Sequence, residues 1–376
     1  MSVKINVSDL RGIIGKLNLA VEKTKLNPKS GWIELETENG NNLNVKVSAF
    51  DYYLTVDVPV EYEGNGFHST VVADTFIPLV SKLEDGDIEA EEVGNALVFK
   101  CSTGEYKFPT IKENGIVKQV DQIKFDKENA ITSNISGNNL ATVADINAKG
   151  LVDALFKRDI QQYIFVDHEG AITYAENIFV NEFDVSADVP FKFLLNGTQA
   201  KLMKVFDGEE NVTVYVGKSD YESPTKIRFE SGSVRLTCIT QSESLVDKFP
   251  YIKLREMASK VSDIHVVIDK RVLDKALGRL MVFDKKFDIT VLNYSQLEFG
   301  TDGVKLVSVK NGNYEFVPYV SQVNAIEHTS IIRFADLVKR LKVITSSQID
   351  ISYGSIPAII VNSDEVLEMI PENIQK

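Results

Sequence analysis

Residues able to do covalent or proton-transfer chemistry are few in this chain, and they are scattered. Ser223-Pro-Thr-Lys226 matches the Ser-x-x-Lys pattern, in which a lysine amine relieves a serine of its proton, but the pattern is short and the segment reads as a loop. The histidines, His68, His168, His265 and His328, stand apart in sequence. None has the His-Glu-x-x-His or Cys-x-x-Cys spacing that aims several ligands at one metal. His168 falls in a hairpin turn and reads as solvated surface. Cys101 and Cys238 fall in strand-like runs and read as small buried hydrophobes rather than as a disulfide. No Gly-rich phosphate loop followed by Lys-Ser/Thr occurs, and no dinucleotide fingerprint. The expectation is a non-enzyme: no catalytic residue, no metal ligand and no cofactor.

The elements that must carry any other function are legible in the periodicities. Residues 8–23 place Leu10, Ile13, Ile14, Leu17 and Val21 at helical spacing behind Ser8 as an N-cap. Trp32-Ile-Glu-Leu-Glu and Leu43-Asn-Val-Lys-Val-Ser alternate as strands across the turn Glu38-Asn-Gly-Asn-Asn. Leu54-Thr-Val-Asp-Val-Pro-Val is a further strand. Residues 74–83 form a shorter helix in which Pro78 is tolerable only near the first turn. The order begins again near Asn134, with helices at 136–150 and 196–206 and a hairpin of 163–166 against 171–175. It begins a third time at Ile264, with helices at 269–280 and 333–342 and strands at 289–292 and 297–299. Residues 112–127 and 253–263 are rich in charge, lack an apolar period and read as linkers.

A local echo supports the repetition. Cys101-Ser-Thr103 is followed by Lys107-Phe-Pro109, and Cys238-Ile-Thr240 by Lys248-Phe-Pro250. A repeat of over about a hundred residues is a domain and not a solenoid unit. We therefore expect an α+β chain of three repeated domains, 1–125, 126–260 and 261–376, with two helices on antiparallel sheets in each. A length of 376 residues accommodates them.

Hydrophobic content of 44% and charged content of 25% are those of an ordinary globular protein. No run approaches the roughly 18 apolar residues of a membrane helix, and the N-terminus lacks the apolar core of a signal peptide, so a cytoplasmic protein without membrane contact is expected. A net charge of −13 argues, taken alone, against nucleic acid as a partner. Its distribution argues otherwise. The six helical segments hold fifteen Lys plus Arg against seven Asp plus Glu, and eight of the fifteen lie in the third repeat.

Length, the threefold order, the Phe-Pro pairs and an ending of Val366-Leu-Glu-Met-Ile-Pro371 together resemble the bacterial sliding clamp family, the beta subunits of DNA polymerase III. The resemblance covers nearly the whole chain and points to a divergent member, host- or phage-encoded. It implies a ring-forming "DNA clamp" fold: a head-to-tail homodimer whose helices line a hole around duplex DNA. The implied function is a non-catalytic processivity factor that tethers a DNA polymerase and is opened by a clamp loader, in a bacterial cell or a phage-infected host. A ring that slides needs a diffuse positive lining rather than base readout. Arg11, Lys16, Lys23, Lys25, Lys82, Lys149, Lys201, Lys204, Lys270, Arg271, Lys275, Arg279, Arg333, Lys339, Arg340 and Lys342 are the residues expected to face DNA.

The family also binds short peptides with Leu and Phe anchors in a groove between its second and third domains. Carried onto this chain, the groove falls on Ala175, Asn177, Phe179 and Val180, then Pro250, Lys253 and Leu254, then Glu368, Met369, Ile370 and Pro371. The family's Thr-Asp-Gly-His-Arg-Leu run stands here as Ala175-Glu-Asn-Ile-Phe-Val180, so a basic pair is replaced by Ile178-Phe179. The subunit contact falls by position on Tyr106 and Lys107 opposite Met281, Val282 and Phe283. A clamp-like module that sequesters clamp partners without encircling DNA, a monomer with an intact groove, is the alternative.

Overall fold

Three stretches of the chain fold in one order: strand, helix, four strands, helix, three strands. The computed structural model describes residues 2–22, 27–38, 41–61, 66–151, 159–175, 178–184, 188–260, 262–284, 295–309, 312–363 and 366–372. The first stretch comprises β1 (Val3–Asn6), α1 (Val7–Ala20), β2 (Trp32–Glu38), β3 (Asn42–Ser48), β4 (Tyr52–Glu61), β5 (His68–Val72), α2 (Ala73–Val80), β6 (Asp87–Val93), β7 (Ala96–Cys101) and β8 (Gly104–Pro109). A small ribbon, β9 (Lys112–Glu113) with β10 (Ile116–Val117), follows. The second stretch comprises β11 (Ala130–Ile135), α3 (Gly137–Thr142), a π turn at Val143–Asn147, α4 (Ala148–Leu151), β12 (Tyr163–Asp167), β13 (Gly170–Tyr174), β14 (Ile178–Glu182), β15 (Lys192–Asn196), α5 (Gly197–Leu202), β16 (Val212–Gly217), β17 (Lys226–Ser231) and β18 (Val234–Ile239). Helices α6 (Glu243–Val246) and α7 (Tyr251–Ala258) lead to the third: β19 (His265–Asp269), α8 (Lys270–Asp284), β20 (Ser295–Phe299), β21 (Gly303–Ser308), β22 (Tyr314–Val323), β23 (His328–Ile332), α9 (Phe334–Val343), β24 (Gln348–Ser352), β25 (Ala358–Ser363) and β26 (Val366–Pro371).

The chain divides into two compact units. One holds residues 1–141, 187–193 and 198–244, and the other holds residues 142–186, 194–197 and 245–376. In the first, an antiparallel sheet runs β11-β16-β17-β18-β4-β1-β6-β7-β8, with β3, β2 and β5 extending it from β4. In the second, the order is β12-β13-β14-β26-β25-β24-β19-β22-β21-β20-β23. Helix α8 buries Leu273, Ala276, Leu277 and Leu280, and α9 buries Phe334, Leu337 and Leu341, in one core with β19, β24 and β25. Each such Leu or Phe side chain contributes roughly 1.5–3 kcal/mol on leaving water.

One pattern recurs across the repeats. The last strand of the second stretch, β18, pairs with β4 of the first, with Leu236 opposite Leu54. The last strand of the third, β26, pairs with β14 of the second, with Leu367 opposite Val180. The last strand of the first, β8, ends its sheet. The third-repeat equivalent of β4 and β14 is β22. Its Tyr319–Val323 half pairs with β19, while residues 314–318 pair only with β21 among the described residues.

Several expectations need correction. Helix α1 is capped by Asn6, whose side chain accepts from the Ser8 N–H at 2.9 Å, and not by Ser8. Pro78 sits in the second turn of α2, tolerated because the helix is only 8 residues long and lacks few interior bonds. Val272 is an exposed residue of α8 rather than part of its apolar face. Residues 253–263 are not simply a linker, since Tyr251–Ala258 is α7 with Leu254 and Ala258 buried. The Cys and Phe-Pro echoes are not equivalent positions: Cys101 ends β7 and Cys238 lies inside β18, while Pro109 closes β8 and Pro250 caps α7. The hairpin turn at 38–42 lies partly outside the described residues, and the strand at 289–292 lies wholly outside them.

Candidate functional site

The helices separate their cations into those already bound and those left to solvent. Lys82, Lys201, Arg271, Lys275 and Lys342 are exposed and make no ion pair among the described residues. Lys149 lies 3.9 Å from Asp145, one turn earlier. Arg279 makes two hydrogen bonds to Glu315, at 2.7 and 2.9 Å, and these bonds raise its already high pKa. Arg11 donates to Asp85 at 2.8 Å and to the Leu83 carbonyl, and Lys16 donates to the Val205 carbonyl. Lys270 donates to the Ile344 carbonyl, and Arg333 pairs with Asp336 at 2.8 and 2.9 Å. Lys204 is exposed on the short helical turn after α5. Lys23 and Lys25 lie outside the described residues, as does the side chain of Lys339.

Arg340 does not belong to that face. It is 1% exposed and forms an ion pair with Glu368, which is 0% exposed, at 3.7 Å. Two residues expected on different surfaces thus meet in the interior, because α9 packs on β26 and strand alternation turns Glu368 toward the helix. The same alternation divides the remaining groove residues. Ile178, Val180 and Met369 join Leu254, Phe249, Ile172 and Ile360 in one apolar cluster. Phe179, cross-strand from Glu368, faces the other way and packs over Gly150, where an added Cβ would come 2.8 Å from its ring. Ile370 belongs to the core under α8 and α9. Ala175 is buried, Pro250 is half-buried, Lys253 and Pro371 are exposed, and Asn177 lies outside the described residues.

The cluster is held by residues that sequence reasoning passed over. Phe165 of β12 stacks on Tyr251 at 4.4 Å and on Phe249 at 5.3 Å between ring centroids. Arg255 of α7 grips the β12–β13 turn, with 2.6 and 2.7 Å bonds to Asp167 and one of 2.8 Å to Glu169. These contacts seat Pro250 and Leu254 beside Val180 and Met369. Tyr163, Tyr174, Met257, Ile356 and Leu367 lie half-buried at its margin, and Ile252 is exposed. A short apolar peptide could add to such a surface. The signal for Phe249 and Tyr251 was the Phe-Pro-Tyr run, of which only Pro250 was assigned to the groove.

Tyr106 and Lys107 lie on the edge strand β8, Tyr106 half-buried and Lys107 exposed. Met281 packs partly on the α8 core, and Val282 and Phe283 are exposed at the helix end. The Arg279–Glu315 bonds tie that helix to β22, whose Tyr314 and Phe316 are 64% and 55% exposed.

His68, isolated in sequence, meets two carboxylates across β2 and β5. Its Nε2 lies 3.1 Å from Glu34 Oε1, and Glu36 is within metal-ligand reach of both. The Lys46 ammonium binds both glutamates and offsets one of their two charges. Glu34 also accepts the Val120 N–H at 2.8 Å, tying the segment after β10 to the sheet. Burial pushes the Glu34 carboxyl up, but the bonds from His68, Val120 and Lys46 outweigh it and hold the group below the usual range. The bond to Glu34 raises the His68 pKa.

The repeated helix-on-sheet units, joined edge to edge by their last strands, define a DNA-clamp fold. Within that class the chain has the fold of the beta subunit of DNA polymerase III. It superposes on the beta subunit from Thermotoga maritima over 100% of both chains, with a TM-score of 0.78 and 16% identity. The beta subunit from Streptococcus pyogenes matches at 0.77 and 15% identity, covering 99% of this chain and 100% of that one. The Helicobacter pylori beta clamp bound to a DNA ligase peptide matches at 0.70 and 12%, with the same coverage. No protein-family model and no curated relative matches the sequence. Among the described residues no helix is long and apolar enough to cross a membrane.

Proposed function

We propose that this chain is a sliding clamp: a non-catalytic homodimeric ring, built from domains 1–125, 126–260 and 261–376 in each copy, that encircles duplex DNA in the cytoplasm and tethers a polymerase. The observation that carries the reading is the placement of cations that make no ion pair among the described residues. Lys82, Lys201, Arg271, Lys275 and Lys342 all fall on or directly after helices of the repeated units, in a chain whose net charge is −13. Such a lining meets phosphates without choosing a sequence, and the acidic remainder keeps DNA from the wrong face. Lys23, Lys25, Lys149, Lys204 and Lys339 are proposed to add to it.

The strand pattern supports a contact between copies. β18 lies on β4 and β26 lies on β14, so β8 of one copy is proposed to lie on residues 314–318 of β22 in the next. Tyr106 and Lys107 then run beside Tyr314 and Phe316, flanked by Met281, Val282 and Phe283. Polymerase and loader are proposed to dock by short peptides with Leu and Phe anchors over Val180, Pro250, Leu254 and Met369. The Helicobacter pylori neighbour carries a DNA ligase peptide, which supports peptide docking as a use of this fold.

The test is retention on DNA of two shapes. With the matching loader, the protein should stay on nicked circular DNA through gel filtration and be lost when the circle is cut, since a ring slides off an end. Equal retention on circle and linear DNA, or none on either, would sink the encircling reading. A monomer that still binds the peptide would instead favour the sequestering alternative.

A further inference from the structure

Most cations of the first compact unit are neutralised locally. Lys4, Lys29, Lys46, Lys100, Lys112 and Lys127 each pair with an Asp or Glu. Away from the helices, the exceptions gather in one place. Lys124, Lys218 and Lys226 line a single cleft of about 460 Å³ between the segment before β11 and the β16–β17 loop. All three are exposed, and none has an ion pair among the described residues. The Lys226 ammonium donates to the Lys124 carbonyl at 2.9 Å, which joins the two walls and leaves its other N–H groups to the cleft.

The cleft's one carboxylate offsets only one of their three charges. Asp126 accepts from Asn129 Nδ2 at 2.8 Å and from the Glu128 N–H at 3.0 Å, so its oxygens are engaged within its own turn. Those bonds, the Asn129 one foremost, keep its carboxyl below the ordinary range and charged. Three ammonium groups therefore face one occupied carboxylate, in a chain with thirteen more acidic than basic charges. Like charges held together on a concave wall repel one another, and an anion in the concavity relieves that repulsion. Phe125, edge-on to Tyr215 at 6.4 Å, adds an apolar wall, and Gly217 leaves it room: a Cβ there would lie 3.5 Å from the Phe125 ring and 3.0 Å from the Lys226 carbonyl.

We propose that this cleft binds a phosphate-bearing ligand, with Lys124, Lys218 and Lys226 as its counter-charges. Lysine is suited to this as a mobile, hydrated point charge with several donors, which meets a tetrahedral oxyanion without needing a planar fork. The cleft uses none of the helix cations assigned to duplex DNA, so the inference stands apart from the clamp reading. A free pyrophosphate-type anion and a phosphodiester strand present the same oxygens, and the experiment separates them.

The full chain is titrated with inorganic pyrophosphate by calorimetry, and with a short labelled single-stranded oligonucleotide by fluorescence anisotropy, both at low salt. The variants are Lys218→Glu/Lys226→Glu, and Lys260→Glu as a control just beyond α7, on an exposed residue outside every surface assigned above. Both cleft lysines are exposed, and unchanged circular dichroism and melting confirm the fold. The expected result is binding of at least one probe, weakened roughly tenfold or more by the cleft variant and by added salt, and unchanged by Lys260→Glu. Pyrophosphate binding alone assigns a free phosphate ligand; strand binding that pyrophosphate displaces assigns a nucleic-acid backbone. Absence of binding by both probes overturns the proposal, as does binding that survives Lys218→Glu/Lys226→Glu or is displaced equally well by an oligoglutamate peptide.

Discussion

Replacing Glu368 with Gln removes one charge of a pair that water does not reach. Arg340 and Glu368 are 1% and 0% exposed, so after the change the guanidinium keeps its full charge inside the protein and loses the attraction of that carboxylate. Breaking a buried pair from one side costs about 3–5 kcal/mol, because the surviving ion retains its desolvation cost and loses the attraction that offset it. For a unit of this size each kcal/mol lowers Tm by roughly 2–4 °C, so the second compact unit should melt roughly 6–20 °C lower. Arg340→Met/Glu368→Met should recover most of that loss, since an apolar pair of similar volume is about neutral against the ion pair. Differential scanning calorimetry on the intact chain reads both variants, and the first unit's transition serves as an internal reference. A drop of less than about 2 °C for Glu368→Gln would refute the reasoning, because it would mean that water reaches Arg340. It would also return that residue to the DNA-facing set.

Four further outcomes follow from the same geometry. Gly150→Ala should cost about 1–3 kcal/mol in denaturant unfolding, because the new methyl meets the Phe179 ring at 2.8 Å; Phe179→Leu in the same background should recover part of it. Arg255→Ala leaves the buried Asp167 without its two strongest bonds and should cost about 3 kcal/mol, with faster amide exchange in α7 and weaker peptide binding. The His68–Glu34 contact sets a pH window. The His68 pKa is raised on folding, so its contribution is complete below the ordinary value of 6.5 and fades as pH climbs through the folded value; Glu34 is depressed, so its contribution is complete above 4.5 and fades as pH falls through the folded value. The stability difference between wild type and Glu34→Gln should therefore peak between those values, and a flat difference from pH 4 to 8 would exclude the linkage. Finally, Phe316→Asp should convert a dimer to monomer in light scattering, with the monomer's circular dichroism unchanged.

What the sequence disclosed, and what it hid, divides along local and non-local physics. Leu10, Ile13, Ile14 and Leu17 read as one helical face because 3.6-residue spacing is written in neighbouring positions, and all four are buried. Leu273, Ala276, Leu277 and Leu280 behave alike. Arg340 defeated the same logic: its spacing places it on α9, but only β26, some twenty-five residues later, supplies the carboxylate that draws it inward. Phe179 was legible as a strand residue, but the Gly150 that makes room for its ring lies about thirty residues earlier, and no local pattern carries that. α7 was missed because only Leu254 and Ala258 are fully buried on its face, and Lys253, Arg255 and Glu256 between them mimic a linker. The Cys-to-Phe-Pro echo led to a true repetition through residues that are not equivalent, since Cys101 and Cys238 occupy different strands of their sheets.

The free edge β8 and the half-free strand β22 are different surfaces on one polypeptide, so any copy that docks through them leaves the same two surfaces open at the far ends. Such a contact does not count its members. Whether two copies close or many run on as a filament is decided by whether the rotation from one copy to the next closes on itself, to which the twist at the β4–β18 and β14–β26 seams contributes. Substitutions at those internal seams, far from the subunit contact, would then select between a closed particle and an open polymer while every contact residue stayed the same.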